Sequence, residues 1–139
     1  MPMTPPRPSR FGTPPSLDDI ERIARRALQS LPTRFRRAVG DVAVRVEDLA
    51  DDGVAADLGL ESAWDLTGLY HGTPLTERSV SAPPRTPDLV FLYRLPILSE
   101  WVETGEDLER LVASVLIHEI GHHFGFSDAD IEALEREAE

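Results

Sequence analysis

His118-Glu119-Ile120-Gly121-His122-His123-Phe124-Gly125-Phe126-Ser127-Asp128 is the stretch on which the reading of this chain turns. It has the form H-E-x-x-H-x-x-G-x-x-D. On a helix, His118 and His122 lie one turn apart and project from one face. Two imidazoles in that relation can hold one zinc ion, and the intervening Glu119 can act as general base on a water that the metal activates. Gly125 can leave the helix in a left-handed conformation. The chain then turns, and Asp128 can return as a third ligand. Two nitrogens and one carboxylate oxygen leave a fourth position open, which is the layout of a catalytic zinc site and not of a closed structural one. At this chain's composition, H-E-x-x-H alone arises by chance in roughly one such chain in a hundred, and the longer pattern in roughly one in twenty thousand.

Plainer readings stand beside this one. His118 and His122 could be ordinary surface or core histidines, and Glu119 an ordinary helix carboxylate. Asp128 follows Ser127 in the first turn of a further helix, where any acid favours the positive end of the dipole. His123 points about 100° away from His122 on a helix and is expected to be a supporting or surface residue. The full pattern favours ligation over the plain alternatives.

Working outward, the motif closes a long amphipathic segment. Thr104 or Gly105 can cap a helix, and Glu106, Asp107 and Glu109 suit its positive end. Leu108, Leu111, Val112, Val115, Leu116 and Ile120 give it a core face, and it is expected to run to about Phe124. Ser127 with Asp130 forms a second capping-box pattern ahead of a terminal helix over 130–137, with Ile131 and Leu134 inward. Upstream, residues 89–95 (LVFLYRL) form the strongest strand, apolar enough for burial on both faces. Residues 96–103 read as a bridging segment.

Nearer the start, residues 41–48 alternate Val42, Val44 and Val46 with polar or small residues, as a half-buried strand does. Residues 49–63 read as a connector or short helix. Residues 65–72 read as a short, glycine-containing strand, a candidate sheet edge. The polar, proline-rich stretch 73–87 reads as a long loop of the functional kind. Ser16 and Asp19 suggest a capping box for a helix reaching Leu31, ended by Pro32, with a short segment over 33–40 leading on. Residues 1–15 hold six of the twelve prolines and almost no apolar side chains. They are expected to be a disordered tail, and 16–139 a single domain.

Composition narrows the class. Apolar residues make up 41% and charged residues 28% of the 139, as in an ordinary soluble globular domain. With no cysteine, disulfides and thiolate ligands are excluded. Residues 1–40 carry eight Arg against three acids, a net +5, and residues 41–139 carry six Arg against 22 acids, a net −16. An acidic body disfavours nucleic acid as a partner, and the basic first third reads as a solvated helix face plus a tail. No apolar run approaches a membrane span, and no apolar leader is seen at the N-terminus, so cytoplasmic residence without membrane association is the expectation.

HEIGHHFGFSD, preceded by GLYHGTPLTER and PDLVFLYRLPI, resembles the small bacterial proteins described as minimal zincins or zincin-like metallopeptidases. The resemblance covers roughly residues 40–135. It implies an α+β fold, a small mixed β-sheet packed on helices, with the metal motif on a C-terminal helix. It further implies Zn2+ held by His118, His122 and Asp128, Glu119 as catalytic base, and a peptide or protein substrate. The larger metzincins place a methionine turn beneath the metal, whereas the only methionines here are Met1 and Met3. The site floor must then be built otherwise. The alternative expectation is a non-catalytic metal-binding or protein-interaction module that retains the zincin architecture.

Overall fold

The computed structural model describes residues 12–72 and 88–138. Residues 1–11 of the tail expected over 1–15, and the expected loop over 73–87, lie outside the described residues. In chain order the elements are α1 (Leu17–Ser30), α2 (Thr33–Val39), β1 (Val42–Glu47), α3 (Asp52–Asp57), a 3-10 turn (Ala63–Asp65), β2 (Gly68–His71), β3 (Asp88–Tyr93), α4 (Arg94–Thr104), α5 (Leu108–His123) and α6 (Asp128–Ala138). The three strands form one mixed sheet in the order β1-β3-β2. β1 runs parallel to β3, and β2 antiparallel to it. This is the expected α+β architecture. Among the described residues, no helix is long and apolar enough to cross a membrane.

Local chemistry accounts for most of these boundaries. Ser16 Oγ accepts the Asp19 N–H at 3.1 Å, and Asp19 Oδ2 accepts the Ser16 N–H at 2.9 Å, completing the capping box of α1. A cap of this kind is typically worth about 1 kcal/mol. Ile20 and Ala24 are buried beneath it, while Arg22 and Arg25 face solvent and pair with Asp19 and Glu21 one turn back. The arginine-rich face of this helix is thus a solvated face.

β3 is the central strand, and its continuous apolar character has the predicted cause. Val90 and Leu92 enter the main core, with Leu116, Ile117 and Ile120 of α5 and Ile131 of α6. Phe91 and Tyr93 belong to a second, smaller cluster with Ala55 and Ala63. Both faces of β3 are therefore covered. β1 turns Val42, Val44 and Val46 toward the main core, as its alternation predicts.

Two readings are corrected. Residues 96–103 are not a bridging segment but the body of α4. Pro96 sits third in that helix, where a backbone N–H would have no intrahelical partner, so proline there opens a helix without breaking it. Residues 33–39 form a further helix, α2, whose Phe35 and Val39 are buried one turn apart. Pro32 both stops α1 and starts α2. Trp64 is 51% exposed in the 3-10 turn.

A candidate metal centre at the junction of two helices

α5 is the most buried helix of the fold: Leu111, Val112, Val115, Leu116, Ile117, Ile120 and Gly121 all lie in the interior. The residues left over at its C-terminal end are the polar ones of the motif. His118 and His122 share a face one turn apart, with ring centroids 6.0 Å apart and planes at 78°.

Glu119 points elsewhere, toward the sheet. Its carboxylate accepts the backbone N–H of Tyr70 in β2, and burial pushes it above the ordinary carboxylate range. The Tyr70 hydrogen bond and the two histidines pull in the opposite direction but do not cancel that rise. The contact demands a glycine in the strand. A Cβ on Gly68 would stand 2.8 Å from Val115 Cγ1, 3.2 Å from the Phe91 carbonyl oxygen and 3.3 Å from Glu119 Cγ. α5 can therefore lie directly on β2 only because residue 68 has no side chain.

The helix ends as its sequence suggests. Gly125 has φ +81°. Its N–H donates to the His122 carbonyl at 3.1 Å, and the Phe126 N–H reaches the Gly121 carbonyl at 2.9 Å. Those paired bonds define a Schellman turn. The chain reverses at once into α6, capped by Ser127 Oγ on the Asp130 N–H at 3.1 Å and by Asp130 Oδ2 on the Ser127 N–H at 3.1 Å. α6 sits close because Gly121 faces Ile131: a Cβ there would meet Ile131 Cγ1 at 3.1 Å. The outcome is that Asp128 Oδ1 lies 3.0 Å from His122 Nε2.

The fit of these residues to a zinc ion can be tested on their donor atoms. Two ligands on one tetrahedral ion stand roughly 3.3 Å apart, close to the His122–Asp128 separation. The Asp128 carboxylate is 91% exposed and His122 55% exposed, so both can adjust around an ion. For His118, Nδ1 lies 2.8 Å from the Ser114 carbonyl, which can only accept. Nδ1 therefore carries the proton and Nε2 keeps its lone pair, the tautomer a metal needs. Among the described residues no three His, Asp or Glu side chains converge tightly on one point. His122 and Asp128 are brought together, and His118 stands one turn back. The donor types and the tautomer fit zinc, while of these three only His122 and Asp128 are within contact of one another.

The other residues near the motif have packing roles. His123 stacks on Tyr70, centroids 3.8 Å apart, and the Tyr70 hydroxyl donates to Asp88 Oδ2 at 2.6 Å. His123 thus pins the end of α5 to β2. His71 meets Phe91 edge-on, and Tyr93 is buried in the smaller cluster. Burial, with the negative charges of Glu47 and Asp51, pushes the Tyr93 hydroxyl pKa up. Sequence reasoning overlooked three contributors: Gly68, the Tyr70 backbone N–H, and Glu135 of α6, whose Oε1 lies 3.0 Å from His118 Nδ1. Glu135 had one available signal, its place two helical turns after Asp128, on the same face.

A model of the zincin-like metallopeptidase family matches residues 39–138. No curated protein matches the chain. The matched span runs from the end of α2 through α6 and takes in the whole sheet, the motif helix and the Schellman turn. The chain therefore belongs to the zincin-like metallopeptidase family.

Proposed function

We propose that this protein is a zinc-dependent peptidase in which His118, His122 and Asp128 hold the metal and Glu119 is the general base. The observation that carries the reading is the placement of Glu119. It sits beside the two histidines, half-buried, with its carboxyl pushed up by burial and its oxygen fixed by an edge-strand N–H. A helix carboxylate with no chemical task has no need of such a setting, and a base poised nearer neutral pH does.

Zinc bound there would polarise a scissile carbonyl and acidify a water. Glu119 accepts that water's proton and hands it to the leaving amine. β2, one of the two edge strands of the sheet among the described residues, offers its backbone to an extended peptide, which adds as a further strand. The Tyr70 N–H bond ties the base to that same strand, so base and substrate track move as one unit.

The first test is metal content. Protein supplied with zinc and dialysed is expected to retain one ion per chain and to cleave members of a mixed peptide library. Chelation removes cleavage and re-addition restores it. Zinc retained with negligible cleavage favours the non-catalytic metal-binding module, and no retained zinc removes both readings.

A second measurement addresses the substrate track. A non-cleavable peptide selected from the library is expected to slow amide exchange across residues 66–72. Unchanged exchange there rules out strand addition at β2.

A further inference from the structure

The two acids of α6 that reach the motif helix do different things. Asp128 and Glu135 are seven residues apart, two turns along one face, and each meets one histidine. Asp128 approaches His122 at Nε2, whereas Glu135 approaches His118 at Nδ1, at 3.0 Å in each case. Nδ1 is the wrong side of His118 for Glu135 to share an ion with Nε2. Glu135 is not a competing third ligand.

Its surroundings suit another task. Glu135 Oε1 accepts the Ser114 hydroxyl at 2.9 Å, and the Ser114 carbonyl lies 2.8 Å from the same His118 nitrogen. The single Nδ1–H faces a neutral carbonyl and a carboxylate. The carbonyl is already committed to the helix, since it stands four residues before His118. The carboxylate brings what the carbonyl lacks, a charged acceptor free of the helix that can fix the ring plane.

We propose that Glu135, held by Ser114, is a positioning residue for the metal centre, acting through His118 Nδ1 to orient the ring and strengthen Nε2 as a donor. This rests on the reading of His118 as a zinc ligand. It also assigns α6 a second contribution to the site, from the end opposite Asp128.

The test compares wild type, Glu135→Gln and Glu135→Ala, with zinc affinity measured by chelator competition and the melting temperature of the metal-free protein measured alongside. Glu135→Ala is expected to weaken zinc by ~10- to 100-fold, the range seen when such outer partners are removed, with metal-free melting little changed. Glu135→Gln, which keeps the size and a carbonyl acceptor but not the charge, is expected to fall between the two. Cobalt substituted for zinc should show altered visible absorption in Glu135→Ala, since the ring orientation changes. Affinity within threefold of wild type in both variants overturns the proposal. So does a loss of affinity matched by an equal loss of metal-free stability, which marks Glu135 as a packing residue only. Failure of wild type to bind zinc at all is a distinct result, and it strikes the peptidase reading itself.

Discussion

Glu119→Gln is expected to cut peptide cleavage by ~100- to 10,000-fold, the span typical of positioned proton transfer, while leaving bound zinc in place. Glutamine has the same length and can still accept the Tyr70 N–H, so the β2 contact survives. What it cannot do is take a proton. Stability gives an independent check with a defined sign. Burial raises the folded carboxyl of Glu119 above its unfolded value near 4.5. In metal-free protein, its contribution is therefore fully present below that value and is lost as pH rises through the raised folded one. The substitution removes the charge from this setting. Metal-free Glu119→Gln should accordingly melt no lower than wild type at neutral pH, and the two should converge in acid. The measurements are kcat/KM on one library-derived peptide, zinc content, and melting across pH. Cleavage that persists, or that disappears together with the zinc, defeats the assignment of Glu119 as base.

The second large effect comes from a residue with no side chain. Gly68→Ala should destabilise the fold by ~1–3 kcal/mol, the usual cost of forcing a methyl into closed packing. For a domain of this size that is roughly 5–15 °C in melting temperature. The added carbon would stand 2.8 Å from Val115 Cγ1 and 3.2 Å from a backbone oxygen that cannot rotate away. Relief comes only if α5 lifts from β2, and Glu119, 3.3 Å off through its Cγ, must move with it. Cleavage should then fall further than the stability loss explains, when assayed well below the melting temperature. Zinc affinity should hold, because the atoms nearest that added carbon belong to Val115, Phe91 and Glu119 and to neither His118 nor His122. Normal melting with normal cleavage would show that β2 and α5 are not locked at this point.

These two residues also mark the limits of what the sequence discloses. The histidine pair, the left-handed glycine and the return of Asp128 are legible because each depends on neighbours within one turn, where spacing dictates geometry. The same holds for both capping boxes and for the alternation of β1. Gly68 was legible only as a feature of a glycine-containing strand, since its necessity arises from Val115 and Glu119, about fifty residues away, meeting it across the core. Glu135 escaped for a related reason. Its partner His118 lies on another helix, and the register between α5 and α6 is set by the Gly121–Ile131 contact. α4 was missed because proline normally stops a helix, and its exemption in the first turn is visible only once the start is known.

The docking of α6 through Gly121 carries one more implication. On the proposed reading this helix brings both Asp128 and Glu135 to histidines on α5, yet it is held mainly by Ile131 and Leu134. A chain that is still folding, or whose α6 has come loose, would keep the H-E-x-x-H segment but lose the donor and the carboxylate that complete it. On the same reading, hydrolytic competence would be lost with the opening of α6 alone. On that reading the fold would act as its own safety catch: a chain whose α6 is out of place would carry the H-E-x-x-H segment without the groups that complete the site.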